Sequence, residues 1–269
     1  MATADERPVG FLDSGIGGVT VLRRTKLLLP NENCCFFSDS KYNPYGNRTD
    51  AQIISRCTEI VNFLINEKNC KAIVIACNTA SAKAARTLRA RFKNTPIIAI
   101  EPAYKMVHDK SPNGATLIMA TKGTISSEKF RRLYYSYYNH KTSIHSCVGL
   151  ADIIENGTKE QVEEYLKINL SRYKGKVENV VLGCTHYPLI KEEITKTLGN
   201  VKFFDGADGV SRRLQFLLSQ NGIENDKNAV GRIEFFDSSD DEETRILKEK
   251  RFFRLLNESG DEEKICLTN

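Results

Sequence analysis

The chain has 269 residues, of which 41% are hydrophobic and 27% charged, a balance that excludes a disordered polymer and allows one or two hydrophobic cores. Its formal net charge of +5 arises from 39 basic and 34 acidic residues that are largely interspersed, so charge gives no ground for a nucleic-acid or membrane-surface partner. The start MATADERPVG has neither the basic flank nor the apolar run of a signal peptide, and no apolar stretch approaches the roughly 18 residues of a membrane span. A cytoplasmic protein is expected.

In chain order, short β-rich runs predict strands at Val9 to Asp13, Cys34 to Asp39, Lys71 to Ala76, Pro96 to Ile100, Ala115 to Ala120, Val177 to Gly183 and Val201 to Phe204. Stretches of helical period lie between them. In Ala51 to Asn66 the residues Ile53, Ile54, Cys57, Ile60, Val61, Leu64 and Ile65 share one face. The run Arg131 to Tyr138 mixes basic and aromatic residues, and within a helix it reads as a contact between helices or subunits rather than a nucleic-acid platform. Asp237 to Glu243 reads as a solvated acidic loop before a last helix, Thr244 to Leu256. The alternation is that of an α/β protein with mostly parallel sheets flanked by helices.

An internal echo refines this picture. Ile73 to Thr79 recurs as Val180 to His186, with Cys77 and Cys184 107 positions apart, and Val9 to Gly15 has a counterpart in Thr116 to Thr124. Two pseudo-symmetric domains are expected. The first is 1–101 completed by 215–269 and the second is 102–214, with a boundary near Ile100 to Pro102.

In parallel sheets ligands bind beyond the carboxyl ends of the strands. Asp13, Ser14, Cys77, Asn78, Thr79, Thr121, Thr124, Cys184, Thr185 and His186 all fall there, so facing halves would place one cysteine on each side of a shared cleft. Of the eight cysteines (Cys34, Cys35, Cys57, Cys70, Cys77, Cys147, Cys184, Cys266), none forms a C-x-x-C pair, which argues against a zinc ribbon. Most read as small buried apolar residues. A cysteine before a helix gains thiolate character from the helix N-terminus, and a fall of one or two units from about 8.5 would make Cys77 or Cys184 a useful base. His186 follows Cys184 by two residues, and Asp13 ends a strand that could neighbour the one carrying Cys77. Each is a proton partner for its thiol or, alternatively, a local cap. The loop Asp13 to Gly18 fails the dinucleotide fingerprint because Thr20 stands in place of the third glycine. Ser40 to Thr49, with Tyr45 and Gly46, is either a pocket wall or a surface turn.

These pieces together resemble the glutamate racemases. The matching segments are Gly10 to Gly18, Tyr42 to Gly46, Ala76 to Ala80, Ile100 to Pro102 and Gly183 to Pro188, in family order over about Val9 to Phe236. The resemblance implies cofactor-independent interconversion of L- and D-glutamate for bacterial peptidoglycan, with Cys77 and Cys184 as the two acid/base groups and no metal. It implies that Asp13, His186 and Glu155 assist them, and that Asp13, Ser14, Tyr45, Gly46, Asn78, Thr79, Thr185 and His186 contact substrate. The strand-end positions add Thr121 and Thr124. A homodimer without nucleic-acid or membrane partners is the expected assembly, and an aspartate or hydantoin racemase of the same superfamily is the nearest alternative.

Overall fold

The computed structural model describes residues 4–258; Cys266 lies outside them. In chain order the elements are β1 (Val9–Asp13), α1 (Val19–Leu28), β2 (Cys34–Ser38), α2 (Asp50–Asn62), β3 (Ala72–Ile75), α3 (Asn78–Arg91), β4 (Ile97–Ala99), α4 (Tyr104–Lys110) and β5 (Thr116–Ala120). They continue with α5 (Lys122–Ile125), α6 (Glu128–Ser136), β6 (Thr142–Ser146), α7 (Leu150–Asn156), α8 (Lys159–Leu170), β7 (Asn179–Gly183), α9 (Lys191–Leu198), β8 (Lys202–Phe204), α10 (Ala207–Gln220), β9 (Ile233–Asp237) and α11 (Glu242–Asn257).

The strands form two parallel sheets, ordered β4-β3-β1-β2-β9 and β6-β5-β7-β8. Reading the second backwards, β8-β7-β5-β6 repeats β4-β3-β1-β2, which is the duplication that the sequence echo predicts. Alternate residues of each sheet feed separate cores. Phe11, Phe36 and Val74 pack on one face of the first sheet and Leu12, Cys35 and Ile75 on the other. In the second sheet Leu117, Met119 and Val180 oppose Ile118 and Val181. A strand buried on both faces reads as a continuous apolar run, which is why β1, β3, β5 and β7 stand out in the sequence. Helix starts are set by side chains: Thr49 and Gln52 form a reciprocal cap on α2, as Thr158 and Gln161 do on α8.

All seven predicted strands are present, with ends moved by at most two residues, and the helix predicted over Ala51 to Asn66 is α2 followed by a π-turn, Phe63–Glu67. Two strands were not predicted. β6 is a polar edge strand, Thr-Ser-Ile-His-Ser, paired with β5 alone. β9 extends the first sheet beside β2. The acidic stretch is consequently not a plain loop: Asp237 ends β9 and accepts a hydrogen bond from Ser40 Oγ at 2.5 Å, while Glu242 and Glu243 form the first turn of α11, where the helix dipole favours anions. The expected break at 214/215 falls inside α10, a continuous helix whose Leu214 and Leu218 belong to the core of the first sheet. The tyrosine run divides as well, because Tyr134 stacks on Tyr104 at 5.8 Å whereas Tyr135 and Tyr138 are exposed. Among the described residues no helix is long and apolar enough to cross a membrane.

The tail is held down by Phe252, fully buried with its ring 4.6 Å from that of Phe36 and 4.7 Å from that of Phe235. Phe252→Ala leaves a cavity between β2, β9 and α11. It should lower the free energy of unfolding in urea by about 3–5 kcal/mol.

Candidate active site

Strand β1 lies beside β3 with Leu12 opposite Ile75, so Asp13-Ser14 and Ala76-Cys77 leave the sheet side by side. Ser14 Oγ donates to Asp13 Oδ1 at 3.3 Å and lies 3.5 Å from Cys77 Sγ. Cys77 is the N-cap of α3, and its sulfur accepts from Ala80 N at 3.5 Å. The expected fall in this thiol's pKa does not occur. Burial pushes it up to about 12, the charge of Asp13 adds to the rise, and the Ala80 amide and Ser14 hydroxyl only oppose it. A helix N-terminus offers one long hydrogen bond here, and loss of water outweighs it. Burial also raises Asp13 above the ordinary carboxylate range, against the pull of the His186 charge and a hydrogen bond from Thr185.

In the second half β7 ends at Gly183 and delivers Cys184. No α-helix starts there: a 3-10 turn, Tyr187–Ile190, intervenes before α9, so the helix-dipole argument does not apply to this thiol. Its partner is His186, whose Nδ1 lies 3.8 Å from Cys184 Sγ. His186 Nε2 is 2.6 Å from Oε2 of Glu155, brought in by α7, and the ring makes no cap hydrogen bond. Glu155 Oε2 also accepts from Ile16 N at 3.3 Å, and Oε1 receives Lys248 Nζ at 2.5 Å. Burial works against the Glu155 anion, but hydrogen bonds and charge from His186 and Lys248 prevail and hold its pKa down to about 2. Burial likewise opposes the imidazolium, yet the contacts with Cys184 and Glu155 drive His186 well above its ordinary value. The imidazolium and carboxylate are therefore a buried ion pair.

The two halves meet through the site. Thr185 Oγ1 donates to Asp13 Oδ2 at 2.8 Å, and the Thr79 and Thr121 hydroxyls lie 2.9 Å apart. The glycine loop has a steric cause: a Cβ on Gly15 would collide with the Glu155 carboxylate, and one on Gly17 with the His186 ring. Thr121 caps α5 through Thr124 N, and Gly46 comes up against Thr121. Tyr45 is buried with its hydroxyl donating to Asp39 Oδ2 at 2.6 Å, and Asp39 pairs with Arg56 at 2.7 Å. Asn78 differs from all of these, since both amide atoms are buried without a partner among the described residues. Leaving a buried amide unpaired costs about 1–3 kcal/mol per group, so a ligand with both donor and acceptor is suited to this position.

All the predicted site residues are thus brought to one region. Lys248 and Arg56 were missed because nothing in the local sequence separates them from the chain's surface charges, whereas Asp39, fully buried, was missed although it ends a predicted strand as Asp13 does. Among the described residues no three His, Cys, Asp or Glu side chains are grouped to hold a metal ion.

The sequence model of the Asp/Glu/Hydantoin racemase family matches residues 27–211. The glutamate racemase of Clostridium perfringens is 41% identical to the chain over 248 residues, covering 90% of this chain and 95% of that one. Among solved structures, glutamate racemase from Francisella tularensis in complex with D-glutamate matches with a TM-score of 0.77 at 32% identity, covering 93% of this chain and 94% of that one. A glutamate racemase isoform from Bacillus anthracis matches with a TM-score of 0.81 at 29% identity, covering 93% and 95%.

The buried ion pair makes stability depend on pH. Glu155, lowered on folding, contributes stability that is complete above its ordinary value of 4.5 and lost as pH falls toward about 2. His186, raised on folding, contributes stability that is complete below 6.5 and lost as pH rises through its folded value. Both terms are full between these limits. Urea unfolding of Glu155→Gln from below pH 4.5 to well above pH 6.5 should show both dependences flattened relative to the parent.

Proposed function

The chain belongs to the Asp/Glu/Hydantoin racemase family, and on that premise we propose that it interconverts L-glutamate and D-glutamate without a cofactor, Cys77 and Cys184 serving opposite faces of the α-carbon. The observation that carries this reading is the pair of buried thiols at the ends of corresponding strands, each with its own partners: Ser14 and Asp13 beside Cys77, His186 and Glu155 beside Cys184. The glutamate racemases matched over most of the chain favour glutamate over aspartate or hydantoins as substrate.

Inversion requires that a proton leave one face and another arrive on the opposite face, so two groups in opposite protonation states are needed. With L-glutamate, Cys184 acts as the thiolate beside the His186 imidazolium, an environment that stabilises sulfur anions. Cys77, raised to about 12 by burial, acts as the thiol. Cys184 Sγ takes the α-proton, and the electron pair of the broken C–H bond is delocalised into the substrate carboxylate. The S–H bond of Cys77 then breaks, giving its proton to the other face. Cys184 is left as thiol and Cys77 as thiolate, the arrangement that D-glutamate needs for the reverse reaction.

Charge developing on the carboxylate is met by donors at Asn78, Thr79 and Thr185, and the unpartnered Asn78 amide supports that role. Asp13 and neighbouring hydroxyls suit the substrate amine, with Ser14, Tyr45, Gly46, Thr121 and Thr124 completing the walls. The burial of both thiols supports a closed, water-poor site during turnover. Supply of D-glutamate for peptidoglycan, a cytoplasmic location and a homodimer complete the proposal. The exposed Tyr135 and Tyr138 of α6 offer a face for dimer contact.

Circular dichroism with a panel of amino-acid enantiomers tests the substrate, with glutamate expected to be turned over best. Cys77→Ser and Cys184→Ser should each lower racemisation by about 10²–10⁴-fold, while each retains slow deuterium exchange from D2O on the face of the surviving thiol. Normal racemisation by Cys184→Ala would refute the two-thiol scheme.

A further inference from the structure

Helix α11 is anchored in one half and acts on the other. Its apolar side puts Phe252 and Leu256 into the core of the first sheet. From the same helix Lys248 Nζ reaches Oε1 of Glu155 at 2.5 Å, and the Arg251 guanidinium donates to the Ile154 carbonyl at 2.7 Å and to the Glu155 carbonyl. Those carbonyls belong to the last turn of α7, where backbone acceptors lack helical partners. An arginine there completes the helix end.

The arrangement around Glu155 is directional. Oε2 faces His186 Nε2 and Ile16 N, and Oε1 faces Lys248. The terminal torsion of a glutamate is soft and nearly two-fold, so a carboxylate tied through one oxygen alone can turn away from the imidazole. A cation on the second oxygen prevents this. The charged groups around Glu155 are His186 from the end of β7, Lys248 and Arg251 from α11, and Asp13 from the end of β1. The chain at Cys77 is of another kind, since its sulfur lies against the Ser14 hydroxyl, which donates to Asp13, and accepts from the Ala80 amide.

We propose that Lys248 is a positioning residue for the half-reaction at Cys184, holding Glu155 ionised and oriented so that His186 stays turned toward the sulfur, while Arg251 fixes the helix end from which Glu155 projects. This rests on the two-thiol racemisation proposed above. The C-terminal helix is then a brace for one of the two thiols.

Lys248→Met removes the charge and keeps the stem. Because enantiomers are equally stable, kcat/KM must fall equally in both directions, by about tenfold or more. The asymmetry appears in isotope effects. With α-deuterated L-glutamate the deuteron is removed at Cys184, and the effect on kcat/KM should grow. With α-deuterated D-glutamate it is removed at Cys77, and the effect should shrink. The acid limb of the kcat/KM profile should move to higher pH, since without the ammonium Glu155 takes up a proton sooner. Lys248→Arg should restore both readings toward the parent.

A further reading needs no turnover: carbamidomethylation of Cys184 by iodoacetamide, with iodide leaving, followed by peptide mass, should slow severalfold in Lys248→Met. Should the parent fail to racemise glutamate, the assigned function falls while this alkylation comparison still judges Lys248. If Lys248→Met gives no cooperative unfolding transition, Lys248→Gln carries the same measurements. Parent-like isotope effects, acid limb and alkylation, with or without a lowered melting temperature, would show that Lys248 only packs, and the inference would be overturned.

Discussion

An imidazole and a carboxylate 2.6 Å apart, with 2% and 0% of their side chains exposed, form the contact around which the site is arranged. Removing two charges from water is costly, and their attraction offsets that cost only when geometry is good and the remaining lone pairs are occupied. Each neighbouring feature serves this requirement. The loop after β1 lies so close that two of its positions must be glycine, and it turns the Ile16 amide onto the carboxylate. The tail helix supplies an ammonium to the other oxygen. The imidazolium so held lies 3.8 Å from a thiol sulfur.

Duplication explains the frame but not the chemistry. Matching strands deliver matching cysteines, yet one ends beside a hydroxyl and a buried aspartate and the other beside an imidazolium. The proposed two-thiol racemisation demands equivalence of position and opposition of protonation state, and it assigns the first to the sheets and the second to the surroundings of each thiol. The sheets place the thiols; the loops and the tail make them unlike. Thr185 meeting Asp13 then couples one half's carboxylate to the other half's strand end.

Much of this was legible in the residues, and the exceptions have physical reasons. Central strands buried on both faces announce themselves as apolar runs, so β1, β3, β5 and β7 were evident. β6 was not, because an edge strand needs no apolar character, although the repeat held the clue: Thr142 stands 108 positions after Cys34, the start of its counterpart β2. For β9, a short strand set within polar sequence gave too little pattern. The helix-terminus argument failed at both thiols. Sequence shows what precedes a helix, but not whether a 3-10 turn intervenes, as after Cys184, or how completely water is lost, as at Cys77. Lys248 lay beyond reach for a different reason: a lysine in a highly charged helix declares nothing about a glutamate 93 positions earlier.

The placement of β9 and α11 also orders events in time. As the chain emerges from the ribosome, both four-stranded frames and both cysteines are available before residue 231, and a nascent protein can build its two halves as near equals. The ammonium that completes the Glu155 carboxylate arrives later, with α11. In the proposed role of Lys248, architecture thus precedes competence, because the brace is translated after both of the frames it joins.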